Sequence, residues 1–153
     1  LPVHITAKVD YAVRTLVELA AVGPDPAKAE FLAKSQVIPH KFLEAVLSDL
    51  RRGGLVNSRR GPDGGYWLAR SADEITIADV IRAVEGPLAS IRGQRPEDVD
   101  YGGPATPLKE VWIAVRVNLR AVLENVTLTD VAGGELPEFV HELTADPEAW
   151  NRR

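Results

Sequence analysis

Within "NSRRGPDGGYWLAR", residues 57–70, Arg59 and Arg60 run directly into a loop holding Gly61, Gly64 and Gly65. Guanidinium groups pair with phosphate through two parallel hydrogen bonds, and glycine admits a backbone approach that a Cβ would block. Two anionic partners suit that chemistry: the polyphosphate of a nucleotide, or the backbone of DNA. A nucleotide cradle needs its glycines to lead from a strand into a helix, whose N-terminus holds the phosphate, with Lys-Ser/Thr following. Here the glycines lead into "YWLA", a strand-prone run, no such pair follows, and Asp63 adds a negative charge. The order of residues favours a hairpin tip pressed against nucleic acid.

Other chemistry is sparsely provided. The chain has no cysteine, which excludes disulfides, thiolate metal sites and cysteine nucleophiles. Its histidines, His4, His40 and His141, lack partners at metal-ligand spacing, and HExxH, GxSxG and GxxxxGK[ST] do not occur. No enzyme activity, cofactor or metal is expected. The net charge of −4 is uneven. Residues 1–70 hold ten Lys/Arg against seven Asp/Glu, giving +3, and residues 71–153 hold eight against fifteen, giving −7. A basic half on an acidic chain points to a localised anionic partner, although chance clustering gives the same imbalance.

The elements that must carry these residues are read from periodicity. Val9, Val13, Leu16, Val17 and Ala20 have helical spacing over residues 6–22, with Thr6 as N-cap and Gly23-Pro24 as the stop. "PAKAEFLAKSQ" predicts a shorter helix opened by Asp25-Pro26. After a break at Val37-Ile38, "PHKFLEAVLSDLRRGG" predicts a third, with Phe42, Leu43, Val46, Leu47 and Leu50 as its buried stripe and Gly53-Gly54 as a left-handed cap. Leu55-Val56 and Tyr66-Trp67-Leu68 are short strand-prone runs around a dense group of turn formers. Three helices followed by a hairpin make a winged helix-turn-helix. A fourth helix, "TIADVIRAVEG", opens on a capping box of Thr76 and Asp79 and stops at Gly86-Pro87.

In this architecture the second helix of the motif, about residues 39–52, enters the major groove by its N-terminal turns. The residues there are Pro39, His40, Lys41 and Glu44. Glu44 can accept from cytosine N4, Lys41 can donate to guanine or phosphate, and His40 can donate to phosphate. The wing, residues 57–67, offers Ser58, Arg59, Arg60 and Gly61 to the backbone or to a narrow minor groove, with Arg60 first in rank. Lys8 and Tyr11 on the first helix are further phosphate contacts, though a tyrosine there equally suits half-buried core. Arg51 and Arg52 are either a phosphate clamp or cations complementing a helix C-terminus.

Residues 88–105 are rich in glycine and proline without apolar period, and read as a linker. A long amphipathic helix follows from Thr106, with Leu108, Val111, Trp112, Val115, Leu119, Val122 and Leu123 on one stripe and Ile113 and Val117 on a second edge. A two-fold contact with a second copy would bury it, and so would packing on its own domain. The expected division is a DNA-binding domain at 1–88, a linker or sensor-type loop at 89–105, a dimerisation helix at 106–126 and a tail at 127–153. A small-ligand pocket near Tyr101, Trp112 and Arg116 is a further expectation. With neither a spanning apolar run nor a signal-peptide pattern in this sequence, a cytoplasmic location is expected.

The string "LRRGGLVNSRRGPDGGYWLAR", with "ITAKVDYAVRTLVELA" before it and "VW" opening the later helix, resembles the Rrf superfamily of bacterial winged-helix regulators, which includes IscR, NsrR and CymR. The likeness is close over about residues 3–90 and looser over 106–129. It implies a homodimeric transcription factor, usually a repressor, on double-stranded DNA with an imperfect palindromic operator. The family's wing arginine falls on Arg60 beside Gly61, its recognition-helix contacts on Lys41 and Glu44, and its first-helix contacts on Lys8 and Tyr11. Two departures stand out. Val37-Ile38-Pro39 replaces a turn in which glycine, an aliphatic and serine are common. The loop that bears iron–sulfur ligands in many members has no cysteine here, and Asp10, where some place an acidic ligand, cannot hold a cluster alone. The resemblance is therefore to the cysteine-free branch, with no iron–sulfur cluster and an unidentified small-molecule or protein effector. The competing reading is a winged-helix module that docks a partner enzyme without binding DNA.

Overall fold

The computed structural model describes residues 4–153. Helix α1 (Ala7–Val22) opens where the Thr6 hydroxyl accepts from the Val9 amide at 3.2 Å, and it ends at Gly23. Its buried residues are Val9, Ala12, Thr15, Leu16 and Leu19, so the stripe is turned from the one read off the sequence, with Val13, Val17 and Ala20 at its partly buried edge. Thr15 tolerates burial because its hydroxyl donates to the Tyr11 carbonyl at 2.7 Å.

Helix α2 (Ala29–Gln36) begins later than expected. Asp25-Pro26 does not cap it, because Ala27 is drawn away into backbone pairing with Tyr66: each amide donates to the other's carbonyl, at 2.9 and 2.8 Å. Ladder bonds there replace a first helical turn. Helix α3 (His40–Arg52) follows Pro39. Between them Val37 adopts φ +53° and its amide donates to the Ala33 carbonyl, the left-handed helix ending usually made by glycine.

Leu43, Val46, Leu47 and Leu50 of α3 are buried as expected, but Phe42 is 60% exposed. At roughly 100° per residue it lies about a quarter turn from the centre of that stripe. At the end of α3 only Gly54 is left-handed (φ +76°), Gly53 remaining helical.

Strands β1 (Val56–Arg59) and β2 (Gly65–Leu68) pair antiparallel with Val56 opposite Leu68 and Arg59 opposite Gly65. The turn glycines serve this hairpin itself. A Cβ on Gly64 would lie 2.0 Å from the Arg59 carbonyl oxygen, and one on Gly65 (φ +145°) 2.6 Å from the Ala27 carbonyl oxygen.

Helix α4 (Ile77–Val84) carries the expected Thr76–Asp79 capping box, with bonds of 3.0 and 3.1 Å. The linker contains two short 3-10 turns, Pro96–Asp98 and Gly103–Ala105. Helix α5 runs Leu108–Leu123.

The chain then returns to the helices of the first ninety residues. Val126 accepts from the Ile77 amide, Leu128 donates to the Ile75 carbonyl, each at 3.0 Å, and helix α6 (Leu128–Ala132) packs along α1. Leu128 is fully buried in the same core as Leu16, Leu43, Leu47 and Ile75. A boundary at 127 thus cuts through the core: the expected tail, 127–153, holds a core member in Leu128. Only beyond it come α7 (Glu138–Thr144), with Phe139 and Val140 half-buried, and the exposed turn Pro147–Trp150, neither with a fully buried residue. Among the described residues no helix is long and apolar enough to cross a membrane.

Candidate nucleic-acid interface

Burial of one face of α3 leaves the other outward. His40, Lys41, Phe42, Glu44 and Ala45 are all exposed, and so is Pro39 before them. His40 Nδ1 lies 3.4 Å from Glu44 Oε1, one turn on, so the imidazole ring and the carboxylate steady each other at the helix start. Lys41 has no ion-pair partner among the described residues, which leaves its ammonium available to an external anion. Phe42 was read as core. Its ring instead packs against Tyr11 of α1, 6.3 Å between centroids, and presents an apolar edge of the kind that meets a thymine methyl.

Tyr11 is half-buried, as one of its two readings had it, and the Arg14 guanidinium lies 5.1 Å from its ring centre. Lys8 is already occupied: its ammonium is 2.6 Å from Asp49, which Arg52 also contacts. The hydrogen bond from Lys8 holds the Asp49 carboxyl below the ordinary carboxylate range, and Arg52 adds to this against the opposing effect of burial. Lys8 would have to share or exchange that carboxylate to reach a phosphate. Arg52 complements the helix end, and Arg51 reaches Ser58 of β1 at 3.4 Å, fastening the wing to α3.

At the wing the two arginines differ. Arg59 donates to the Asp63 carbonyl at 3.1 Å and lies 5.9 Å from the Trp67 ring centre, so it braces the turn. Arg60 is exposed with no hydrogen bond or ion pair among the described residues. Lys28, which the sequence did not single out, donates to the Gly61 carbonyl at 2.6 Å and ties the wing tip to the start of α2. The Ala27–Tyr66 pairing sets residue 28 beside the hairpin, a contact between distant segments that residue spacing does not carry.

The expected pocket near Tyr101, Trp112 and Arg116 is found in part: Arg116 lines a cavity between the linker and α5, while Tyr101 and Trp112 do not. Trp112 Nε1 donates to the Tyr101 hydroxyl at 2.9 Å and Arg116 pairs with Glu97, so these groups largely satisfy one another. The α5 stripe is divided. Val115, Leu119 and Leu123 face their own domain, lining a cavity of about 530 Å³ with Val9, Ile81 and Leu88. Leu108, Trp112 and Val122 are half-buried, and Val111 is exposed.

These features have close counterparts. The sequence profile of the family described as "Rrf2: Iron-dependent Transcriptional regulator" matches residues 5–134. Rv1287 of Mycobacterium tuberculosis strain H37Rv, which bears the name of an HTH-type transcriptional regulator, is 50% identical over 147 residues, covering 95% of this chain and 91% of that one. The solved structure of Bacillus subtilis CymR, titled the global cysteine regulator, superposes with a TM-score of 0.71 at 34% identity, covering 85% of this chain and 96% of its own. T. potens IscR superposes at 0.67 with 28% identity, covering 98% and 93%.

The iron in the family's description finds no fitting donors in this chain. There is no thiolate, His4 and Asp10 lie at α1 while the loop offers Glu97, Asp98 and Asp100, and Asp10 is paired with Arg14 at 2.9 Å and Glu97 with Arg116. Among the described residues no three such side chains come together. The protein keeps the helices and the hairpin of this fold without that ligand set, and it belongs to the Rrf2 family of transcriptional regulators.

Proposed function

We propose that this protein regulates transcription as a homodimer that sets α3 into the major groove of an imperfect palindrome and lays Arg60 on the neighbouring backbone or minor groove. The observation that carries the reading is the two-sidedness of α3. Four apolar residues fix one face in the core, while His40, Lys41 and Glu44 stand clear on the other, next to a wing braced by Arg59 and Lys28 with Arg60 left free. Division of labour follows: the first group positions and the second contacts. Repression is the mode the family resemblance implies, and it requires an operator that overlaps a promoter.

Support for the homodimer comes from α5, none of whose residues is buried in the single chain. Its open side carries Val111, Ala114, Val117, Asn118 and Ala121, with Val111 51% and Val117 55% exposed. Small and apolar residues at this spacing let two helices approach closely across a two-fold axis.

Gel shift of the full chain on duplexes from its own upstream region tests the DNA reading. Arg60→Ala is expected to weaken binding by roughly tenfold and to flatten the salt dependence by about one phosphate contact. An absence of salt-dependent affinity for any duplex would leave the partner-docking module as the better account, with exposed Phe31 and Val37 as its apolar contact points.

A further inference from the structure

Where α4 ends, the chain turns through Gly86-Pro87 and crosses the flank of α5, and a cavity of about 290 Å³ opens at that crossing. Its charged lining is wholly arginine: Arg82 from the last turn of α4, Arg95 from the linker, and Arg116 and Arg120 one turn apart on α5. Gly86, Pro87, Leu88 and Ala89 supply the remaining wall. Four like charges around one small space repel, and the described residues neutralise only part of this. Glu97 pairs with Arg116, and Glu124 is shared between Arg82 and Arg120. Four positive groups against two negative leave a formal +2.

Arg116 is the most enclosed of the paired arginines, its side chain 16% exposed, and its Nε–H is buried with no hydrogen-bond partner among the described residues. A buried donor on a charged group that lacks an acceptor is costly, and a fitted anion would relieve it. Leu88 and Ala89 of the same wall also have amides that make no backbone hydrogen bond among the described residues.

We infer that this cavity is a binding site for a small dianion of the phosphate-ester or dicarboxylate type, gripped by Arg82, Arg95, Arg116 and Arg120. Planar guanidinium forks suit either oxyanion, and the formal +2 matches two negative charges. The volume lies at the lower limit of ordinary ligand pockets, which restricts the occupant to a compact metabolite. Of the expected pocket near Tyr101, Trp112 and Arg116, only Arg116 lines this cavity, and its other charged walls are Arg82, Arg95 and Arg120. Because it spans α4 and α5, an occupant joins the helix that packs on α1 and α3 to the helix proposed for dimerisation. Resting on the DNA-binding reading, occupancy then changes operator affinity by about fivefold or more.

Calorimetric titration of the full chain at constant ionic strength tests the site without DNA, so its outcome is independent of the operator reading. Glycerol 3-phosphate with inorganic phosphate forms one arm and succinate the other. Saturable binding of one ligand per chain is expected in one arm, weakened at least tenfold by Arg95→Gln and by Arg120→Gln, both exposed positions whose variants keep the fold. Arg152→Gln, in the tail, leaves it unchanged. No saturable binding in either arm overturns the inference. So does binding that neither cavity variant weakens, or that all three variants weaken equally, which is general charge attraction.

Discussion

Helices α3 and α5 are both amphipathic by sequence, yet the chain treats them in opposite ways. α3 buries Leu43, Val46, Leu47 and Leu50 to between 0 and 2% exposure, against α1, α4 and β1. α5 carries more apolar residues than α3 and buries none of them fully. The difference teaches that an apolar stripe specifies a need for cover and leaves open who provides it. For α3 the cover arrives from within the first ninety residues. For α5 only one flank is covered by its own domain, and the opposite side waits for another surface.

The sharpest way to break this comparison is to charge the open side of α5. Val111→Glu with Val117→Glu should convert the proposed dimer to monomer in sedimentation while leaving the thermal unfolding of the helix-turn-helix core in place. Loss of two-site binding should lower operator affinity by roughly 10²-fold or more. A variant that stays dimeric would move the contact to the cavity side, at Leu119 and Leu123.

Next in size is the core itself. Leu128→Ala should destabilise the protein by about 2–5 kcal/mol in chemical denaturation, the usual cost of truncating a fully buried leucine. An effect below about 0.5 kcal/mol would return residues 127–132 to the status of a tail.

The smallest effect concerns the turn that orients α3. Val37 holds a left-handed conformation that a β-branched side chain resists, and at 83% exposure it gains little from packing. Val37→Gly is expected to raise stability by about 1 kcal/mol, the strain relieved exceeding the entropy that glycine adds to the unfolded chain. Destabilisation by the same change would mean that the valine makes contacts the turn depends on.

Much of this was legible in the residues. The capping box at Thr76, the hairpin around Gly61–Gly65 and the buried stripe of α3 are each set by neighbours a few positions apart, and periodicity reads such neighbours well. What escaped depends on distant partners. Asp25-Pro26 has the chemistry of a helix start, but Tyr66, far along the chain, claims Ala27 first. Phe42 sits at the margin of its stripe, where spacing alone does not decide burial, and it stays 60% exposed beside Tyr11. Among the candidate contacts, Arg60 could be ranked first from sequence, whereas the ties of Lys8 to Asp49 and of Arg59 to the Asp63 carbonyl needed three dimensions.

The pairing of Val126 and Leu128 with Ile75 and Ile77 has a mechanical meaning. Thr76 and Thr127 face each other across an antiparallel bridge, and each caps its own helix through an aspartate three residues on. The far end of α5 is thereby riveted to the first turn of α4, so α5 resembles a lever whose fulcrum is built into the DNA-binding domain. A torque applied along α5, by a second copy or by a ligand, is delivered at the root of α4 and through it to α1 and α3. A flexible tether at that joint would let the two ends of the molecule move independently; a riveted one makes the position of each a gauge of the other.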